Sequence, residues 1–501
     1  MGVKASLGVV FAKLIYKKIK KWSSNPIETQ EKVFQDLIQT AKNTAFGKDH
    51  HFSSINNYES FKNNVPVKDY EDIKPYIERV KKGEENVLWP GLPTYFSKTS
   101  GTTSGAKYIP NTAASLNYQV EAARNAILCY IHETKKTDFI NGKMIFLQGS
   151  PELDHSLKVP VGRLSGIVAH HVPKYLQKNR LPSYKTNCIE DWETKIDAII
   201  DETLPEKMTL ISGIPPWVQM YFDRLVEKTG KKNIKDIFPD FSLFIYGGVN
   251  FEPYRAKFEQ TIGKKIDSIE TYPASEGFIA FQDTQTEPGL LLNINAGIFF
   301  EFIPADEYYN ENPTRLSLKD VELNKNYAII LNTNAGLWGY SIGDTIKFVS
   351  LKPYRIIVSG RIKHFTSAFG EHVIGEEVDY AIEQACKVLN LDVTEYHVAP
   401  QVMPKEGGIA YHEWFIEFSA SPTKTLEFAE ELDNQLQGKN SYYKDLRKGE
   451  MLDIIKITPL KIGAFNAYMK EKGKLGGQNK LPRLANDRTI AEELYKFKID
   501  F

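Results

Sequence analysis

The amino-acid sequence predicts an α/β protein with a large N-terminal domain of mixed or parallel sheets and helices and a small C-terminal α+β domain. Its 501 residues exceed the usual size of one domain, so two or more are expected. The middle of the chain alternates short apolar runs, typical of strands, with amphipathic segments, typical of helices. Residues 375–460 carry a separate helix–strand–helix–strand pattern. We therefore predict one domain over residues 1–360 and another over residues 361–501.

The N-terminal segment, residues 5–22, begins apolar and becomes basic. Lys13 interrupts the apolar part, and no small-residue cleavage site follows the lysines, which argues against a secretory signal. We expect an amphipathic helix that packs on the body of the protein, with binding to a membrane surface as the alternative. The residues expected near one face of this helix are Val9, Leu14, Ile15, Ile19 and Trp22. No apolar run reaches the ~18 to 20 residues that cross a bilayer, so we expect no stable membrane insertion.

Charge and cysteine content exclude several classes of protein. Lys and Arg together number 63, as do Asp and Glu, so the formal net charge is zero and no chain-wide field attracts nucleic acid. The three cysteines lie far apart, which argues against a disulfide framework and a cysteine-rich zinc site. The same spacing favours a reducing, cytoplasmic location. The oligomeric state is open, and a monomer is the default expectation.

Helices and strands follow one another along the rest of the chain. Residues 26–90 are polar with helical periodicity and end in the turn-rich segment 89–93. Residues 252–262 predict a helix with Pro253 in its first turn. Apolar runs predict strands at 144–148, 243–246, 266–272, 290–294, 298–303 and 328–332. The strand–helix–strand run from 243 to 272 makes a βαβ unit, which favours a parallel or mixed sheet.

A loop rich in glycine and hydroxyl groups occupies residues 99–107, of which seven of nine are Gly, Ser or Thr. Glycines let backbone N–H groups turn toward an anion, hydroxyls add donors, and Lys107 adds positive charge. The spacing differs from that of a Walker A motif, which disfavours a kinase-type P-loop. We interpret the loop as a phosphate-binding segment, and a merely flexible loop is the alternative.

The two strands of the βαβ unit end in residues suited to a nucleotide. The first ends at Gly247 and Gly248, and the second runs into residues 271–276. Ligands of open α/β sheets lie at the carboxyl ends of the strands. Glycines permit close approach to a flat base, a tyrosine such as Tyr272 can stack on it, and Glu276 could hold the magnesium that bridges ATP phosphates. The alternative for Glu276 is a solvated turn residue.

Three later segments add polar groups. Asp344 follows a predicted glycine turn in residues 340–344 and could accept both ribose hydroxyls, with a turn or capping aspartate as the alternative. Arg361, inside the proposed hinge at residues 359–370, could contact ribose or phosphate. Lys480 lies on a glycine-rich loop of the C-terminal domain and could neutralise developing charge.

The order and spacing of these five segments resemble the acyl-acid-amido synthetases of the Gretchen Hagen three family, within the adenylate-forming superfamily that includes acyl-CoA synthetases and firefly luciferase. The resemblance runs from about residue 25 to the end of the chain. It implies a large N-terminal adenylate-forming domain that binds ATP and the acyl group, and a small mobile C-terminal lid domain. Plant members usually have two serines where this chain has Ala274 and Ser275, so a hydroxyl donor is absent there. The segments that carry the resemblance are 99–107, 271–276, 340–344 and 479–483.

The resemblance also implies roles for individual residues. The loop at 99–107 would grip the ATP phosphates, Tyr272 would lie at the adenine, and Glu276 would bind magnesium. Lys480 would contact the reacting phosphate and acyl oxygens, and residue 363 falls near the pivot between the domains. Glu276 and Lys480 are thus the expected catalytic residues. The expected nucleotide-binding residues are Thr99, Ser100, Gly101, Thr102, Thr103, Lys107, Gly247, Gly248, Thr271, Tyr272, Ser275, Asp344, Arg361 and Lys363.

The expected function is ATP-dependent activation of a carboxylic acid as an acyl-adenylate, followed by transfer to an amine, an amino acid in the first instance, to form an amide. ATP and Mg²⁺ are the expected cofactors. Another acceptor such as coenzyme A, or a non-catalytic nucleotide-binding protein, are the alternatives. His170 or His171 is a weaker candidate for the base that deprotonates the amine. The identity of the acid depends on the shape of a region within residues 110–220, which includes Tyr118, Phe146, Leu164 and Trp217.

Overall fold

The chain folds into two compact units. Unit 1 comprises Met1–Phe251, Arg255–Ile342 and Ile346–Ile357, and unit 2 comprises Glu252–Tyr254, Gly343–Thr345 and Val358–Phe501. Both mix helices with sheets, which confirms the predicted α/β class. The computed structural model describes residues 3–99, 107–172, 177–189, 191–248, 251–362, 373–401, 404, 409–420, 424–448, 452–475, 481–485 and 487–499.

Helices form the first part of unit 1, as predicted for residues 26–90. They are α1 (Val3–Ser23), α2 (Pro26–Ala41), α3 (Ala45–Asp49), α4 (Tyr58–Asn64) and α5 (Tyr70–Lys81). Two of them begin where a polar side chain accepts from the first turn. The Asn57 carbonyl accepts from the Ser60 amide at 2.8 Å, and the Asp69 carboxylate accepts from the Glu71 amide at 2.8 Å. These caps satisfy N–H groups that the helix itself leaves unpaired.

The N-terminal helix α1 packs on α6 (Ala113–Thr134) through one face, as expected. Ala12, Ile15 and Ile19 are buried in that contact. The prediction for Leu14 was wrong: it is 54% exposed and shares the opposite face with other exposed apolar residues. Successive residues of an α-helix are about 100° apart around the axis, so the side chains of Leu14 and Ile19 point in directions more than a quarter-turn apart. The two therefore cannot face the same core. No helix among the described residues is long and apolar enough to cross a membrane.

A small sheet carries the ends of the predicted phosphate loop. Its strands are β1 (Tyr95–Thr99), β2 (Lys107–Asn111) and β4 (Val161–Gly162), in the order β2-β1-β4. β1 and β2 are antiparallel, and Thr99 pairs directly with Lys107. β4 runs parallel to β1, with Gly162 beside Ser97. The residues that follow β1 and those that follow β4 therefore leave the sheet at the same edge.

Parallel strands form one half of an eleven-stranded sheet. They are β3 (Lys143–Phe146), β5 (Arg180–Leu181), β6 (Met208–Ser212), β7 (Leu243–Gly247) and β8 (Asp267–Ala274). The order is β8-β7-β6-β3-β5. The helices between them are α7 (Leu164–His170), α8 (Tyr184–Asn187), α9 (Trp192–Thr203), α10 (Pro215–Thr229) and α11 (Glu252–Ile262). The predicted βαβ unit is confirmed, with its helix at the predicted bounds.

The other half of this sheet is largely antiparallel. Its strands are β9 (Gly277–Phe281), β10 (Leu290–Leu292), β11 (Ile298–Pro304), β12 (Asn326–Thr333), β13 (Tyr340–Leu351) and β14 (Tyr354–Arg361). β10 pairs with β9 on one side and with β14 on the other. The strands predicted at 290–294, 298–303 and 328–332 are thus confirmed, with small changes at their ends.

A buried ion pair links the N-terminal helices to the sheet. Glu301 on β11 has a fully buried side chain, and the Arg315 guanidinium lies 2.6 Å from its carboxylate with 8% of the side chain exposed. The Tyr58 hydroxyl and the Asn332 amide also donate to Glu301, at 2.9 and 2.8 Å. Arg315 donates further to the Val65 carbonyl at 2.5 Å. A buried carboxylate is tolerated because every one of these groups neutralises or solvates it.

Unit 2 contains a three-stranded sheet of order β15-β16-β17. Its strands are β15 (Val393–Gln401), β16 (Tyr411–Phe418) and β17 (Lys456–Leu460). Its helices are α12 (Gly375–Leu389), α13 (Thr425–Lys439), α14 (Ser441–Lys448), α15 (Ala464–Glu471) and α16 (Thr489–Leu494). The predicted α+β pattern is confirmed. β17 is shorter than the predicted strand over 451–460, and β15 was not predicted.

Candidate active site

The carboxyl ends of β3, β6, β7 and β8 lie side by side, and we call this the site edge. The Leu147 amide donates to the Ser212 carbonyl at 2.9 Å, and the Gly213 amide donates to the Ile245 carbonyl at 3.1 Å. Gly247, the last residue of β7, pairs with Thr271 of the neighbouring strand β8. All of these contacts lie within unit 1. The edge is the position at which open α/β sheets bind ligands.

Gly247 and Gly248 are required by the geometry of the site edge. A Cβ on Gly247 would lie 2.3 Å from the Thr271 carbonyl oxygen and 2.9 Å from its hydroxyl. That hydroxyl donates to the Tyr246 carbonyl at 2.9 Å, so it is held in place. Gly248 has a φ of +83°, in the left-handed region that favours glycine. Gly247 therefore allows β7 and β8 to approach closely, and Gly248 allows the chain to turn directly after β7.

Replacing Gly247 by alanine should separate the ends of β7 and β8. We expect the free energy of unfolding to fall by about 1–3 kcal/mol, as for other overpacked sites, and the ATP binding that the sequence predicts at this edge to weaken. Urea unfolding and calorimetric titration with ATP would measure the two effects. Gly438→Ala on α13 is the matched control, because a Cβ there meets nothing within 4 Å. Equal behaviour of the two variants would contradict the argument.

The predicted segment 271–276 forms the end of β8 and a tight turn. Ala274 pairs with Gly277, so Ser275 and Glu276 are the two turn residues between β8 and β9. Glu276 is partly exposed at the tip of this hairpin. Tyr272 is only 7% exposed and packs in a hydrophobic cluster with residues of β9 and β11. The structure thus brings Thr271, Tyr272, Ser275 and Glu276 to the site edge beside Gly247.

The predicted phosphate loop lies in the sequence between β1 and β2, which pair as a hairpin. Thr99 and Lys107 are its last paired residues. The Lys107 ammonium lies 5.7 Å from the centre of the Tyr70 ring. Ser100, Gly101, Thr102 and Thr103 lie outside the described residues, so their roles stay predictions.

Unit 2 carries the other predicted residues. Asp344 lies inside β13 instead of after a turn, although Gly343 before it has a φ of +82°. The strand continues through this position because β13 lies between β12 and β14 in the sheet. Thr345, the next residue, is buried and accepts a hydrogen bond from the Ser359 hydroxyl at 3.0 Å. Arg361 ends β14. The side chain of Arg361, and both Lys363 and Lys480, lie outside the described parts of the structure.

The two histidine candidates lie at the end of a helix. His170 ends α7, and one of its ring nitrogens lies 2.8 Å from the Pro151 carbonyl oxygen. His171 follows it, and burial lowers the pKa of its imidazole. His171 and residues of α6 line a cavity of about 450 Å³. Tyr118, predicted to contact the acid, also lines this cavity.

Two buried polar residues at the site edge were missed by sequence reasoning. The Gln119 amide on α6 donates to the Ala274 carbonyl at 2.8 Å and so fixes the end of β8. Lys195 on α9 is 3% exposed, and its ammonium donates to the carbonyls of Asn187 and Gln148 at 2.6 and 3.2 Å. A signal existed for Lys195, because it shares the helical spacing of the buried residues Ile199 and Thr203.

Comparisons with known proteins match the chain over most of its length. Three sequence models of one family match it, described as the GH3 family N-terminal domain at residues 15–266, central domain at 291–361 and C-terminal domain at 376–489. The jasmonoyl–L-amino acid synthetase JAR4 of Nicotiana attenuata is 22% identical, with 92% of each chain covered. The indole-3-acetic acid-amido synthetase GH3.3 of Arabidopsis thaliana is 21% identical, covering 95% of this chain and 92% of its own.

Solved structures share the fold. The GH3.15 acyl acid amido synthetase superposes with a TM-score of 0.80 at 15% identity, covering 96% of this chain and 95% of its own. A 2-hydroxyisobutyryl-CoA ligase in the postadenylation state superposes with a TM-score of 0.58 at 13% identity, covering 93% and 90%. At these identities the likeness concerns the fold. It extends over nearly the whole chain.

Proposed function

The chain belongs to the GH3 family, and from that membership we propose that it is an AMP-forming acid–amino acid ligase. The observation that carries the proposal is that the family's three domains match in order from residue 15 to residue 489. The site edge of unit 1 supports it, because glycines, a tyrosine and a carboxylate meet at the ends of adjacent parallel strands. That arrangement suits a mononucleotide.

The proposed reaction has two steps. A carboxylate is a poor electrophile, so its oxygen first attacks the α-phosphate of ATP, which forms an acyl-adenylate and releases pyrophosphate. The amine of an amino acid then attacks the acyl carbon, forms the amide and releases AMP. The protein contributes positioning and charge neutralisation more than covalent chemistry. A closing C-terminal domain would exclude water from the adenylate.

We assign the predicted residues to this reaction as follows. The hairpin ended by Thr99 and Lys107 would present the phosphate loop, and Gly247 would let the adenine approach the backbone. Asp344 and Arg361 would hold the ribose, with Lys363 near the pivot. Lys480 would neutralise charge on the reacting phosphate. The position of Gly247 beside Thr271 at the carboxyl ends of β7 and β8, and the partly exposed Glu276 at the hairpin tip, support the unit 1 assignments.

The residues at the site edge offer one candidate carboxylate ligand for a magnesium ion. Within the described residues there is no group of three or more ligand-type side chains that could hold a metal alone. Mg²⁺ in nucleotide sites is commonly held by one or two carboxylates together with phosphate oxygens and water. Glu276 could supply that carboxylate, and the ion would then neutralise the charge of the leaving pyrophosphate.

An amine is the favoured acceptor, and coenzyme A is the second candidate. Both curated relatives named above are amide-forming synthetases by their names, whereas the CoA ligase is a more distant structural neighbour. A cytoplasmic location and a monomeric state stay predictions.

A product screen would test the proposed function. The protein is incubated with ATP, Mg²⁺ and a panel of carboxylic acids, and pyrophosphate release is measured. Active acids are then supplied with mixed amino acids or with coenzyme A, and products are identified by mass spectrometry. We expect AMP and an N-acyl amino acid. A thioester would favour the second candidate, and background pyrophosphate release with every acid would contradict adenylation.

A further inference from the structure

Two cations, Arg163 and Lys195, lie at the carboxyl end of β3, and a third, Arg180, lies on the neighbouring strand β5. Lys195 is 3% exposed. Arg163 and Arg180 are partly buried. Among the described residues no carboxylate approaches Arg163, Arg180 or Lys195 closely enough to shift its pKa. Buried charges in proteins are nearly always paired, because removing an ion from water without compensation costs several kcal/mol.

Arg163 and Lys195 meet at one place. Lys195 donates to the Gln148 carbonyl. A Cβ on the next residue, Gly149, would lie 2.8 Å from Cδ of Arg163. Both cations therefore lie where the chain leaves β3. Arg163 also directly follows β4, whose neighbour β1 leads into the predicted phosphate loop.

Arg180 begins β5, the strand next to β3. It pairs with Met144 of β3 in the parallel register. Its guanidinium carbon is 5.1 Å from the centre of the Phe146 ring, and it donates to the Ala169 carbonyl at 3.3 Å. Its hydrogen bond thus goes to a neutral carbonyl, as do those of Lys195.

Burial disfavours the charged forms of these three groups. It lowers the pKa of both guanidinium groups and lowers the pKa of the Lys195 ammonium to about 8. The two residues whose backbone carbonyls accept from Lys195 each carry a buried side-chain atom without a partner: Nε2 of Gln148 and Oδ1 of Asn187. The carboxyl end of β3 thus combines positive charge with an unused amide donor and an unused acceptor. That is the complement of an anionic group that also carries an N–H donor.

We propose that Arg163 and Lys195 form a subsite for a carboxylate that does not react, and that this is the α-carboxylate of the acceptor amino acid. The inference rests on the proposed function. The carboxylate of the acid substrate loses its charge on adenylation, so it would leave these cations unpaired in the second step. The α-carboxylate of an amino acid keeps its charge before and after amide formation.

The position of the subsite agrees with that assignment. β3 is separated from β8 by the two strands β6 and β7. Three strand spacings of about 4.8 Å place the subsite roughly 14 Å along the edge from the end of β8. An adenylate whose base lies at Gly247 and Tyr272 would extend its acyl group along this edge. An amino acid held by its carboxylate at β3 would then present its amine toward the acyl carbon.

The test compares amino acids with amines that lack only the carboxylate. The pairs are L-alanine and ethylamine, L-leucine and 3-methylbutylamine, and L-phenylalanine and phenethylamine, and the pair that gives the faster product is used. The variants are Arg163→Met and Lys195→Met, and Lys185→Met on α8 is the control because Lys185 is exposed. We expect KM for the amino acid to rise about tenfold or more in both variants, as for loss of a charged hydrogen bond. The decarboxylated amine should be affected far less, so the preference for the amino acid should collapse.

Rival anions give different results. A rise in KM for ATP in pyrophosphate exchange, without a rise for the amino acid, would assign the cations to phosphate and overturn the proposal. An effect seen with terephthalate but not with benzoate as the acid would assign them to a second acid carboxylate and also overturn it. Arg163→Lys should restore much of the preference, because it keeps the charge. Thermal unfolding verifies that each variant is folded.

Failure of this inference can be told from failure of the proposed function. Absence of pyrophosphate exchange in the unmodified protein with every acid would remove the proposed function. Exchange in the unmodified protein, together with an amino-acid preference that survives both substitutions, would overturn the carboxylate subsite alone.

Discussion

Lys480→Ala should lower ATP–pyrophosphate exchange by about two to three orders of magnitude, the effect typical of losing one group that stabilises transition-state charge. The proposed reaction concentrates negative charge on the α-phosphate as the acid attacks it, and Lys480 is the cation assigned to that position. Radioactive pyrophosphate exchange with an active acid would measure the change. The effect should fall on the rate constant more than on KM for ATP, because the interaction strengthens in the transition state.

The matched control for this substitution is Lys444→Ala. Lys444 lies exposed on α14, so its loss removes the same charge from the same unit without touching the proposed site. Both variants should unfold at the temperature of the unmodified protein. A Lys480→Ala variant that releases pyrophosphate at the unmodified rate would remove Lys480 from the mechanism.

Arg315→Met should destabilise the fold by about 3–5 kcal/mol, the usual effect of breaking a buried ion pair. Glu301 is fully buried, and the substitution leaves its carboxylate with the Tyr58 hydroxyl and the Asn332 amide alone. The guanidinium also donates to the Val65 carbonyl, which would lose this partner as well. Urea unfolding followed by circular dichroism would measure the loss.

Arg224→Met tests whether the expected loss of stability in Arg315→Met is due to the burial of the ion pair. Arg224 pairs with Asp197 at 3.0 Å, but the two side chains are 47% and 42% exposed. An exposed pair contributes at most about 1 kcal/mol, so this variant should stay near the unmodified stability. If both substitutions cost the same, the buried network is not what stabilises the contact between α4 and β11.

Several elements could be predicted from sequence because one local pattern determined each of them. The helix over 252–262 has Pro253 in its first turn and Gly263 after its end, and it is observed at those bounds. The strand predicted at 298–303 is observed as β11 with one more residue. Both segments are bounded by residues with strong backbone preferences. Their secondary structure and their ends could therefore be predicted without knowledge of tertiary contacts.

Other elements depend on partners that sequence order does not reveal. β15 contains His397 and Pro400, which weaken its strand pattern, yet it pairs with β16 along most of its length. The His397 imidazole is buried against the Pro482 carbonyl, 85 residues further along the chain. Asp344 was expected beside a turn because Gly343 precedes it, but hydrogen bonding within the sheet overrides that preference.

The candidate site shows the same division. The glycines of β7 and the turn at Ser275 and Glu276 follow from residue types in short segments. Lys195 and Arg163 could not be brought together in this way, because they meet only through the fold around Gln148 and Gly149. A lysine on the buried face of a helix is a signal in the sequence that an anion binds nearby. The sequence does not say which anion that is.

The position of β10 has a consequence for how unit 1 unfolds. β10 pairs with β14, which lies in the match to the family's central domain, and with β9, which is joined through β8 to β7 in the match to the N-terminal domain. Arg355 and Asp283 add a bidentate ion pair across this junction, with both distances 2.9 Å. A chain cut between the two parts would expose unpaired strand edges on each fragment. The two sequence domains should therefore melt in one cooperative transition, and neither should persist as an isolated folded piece.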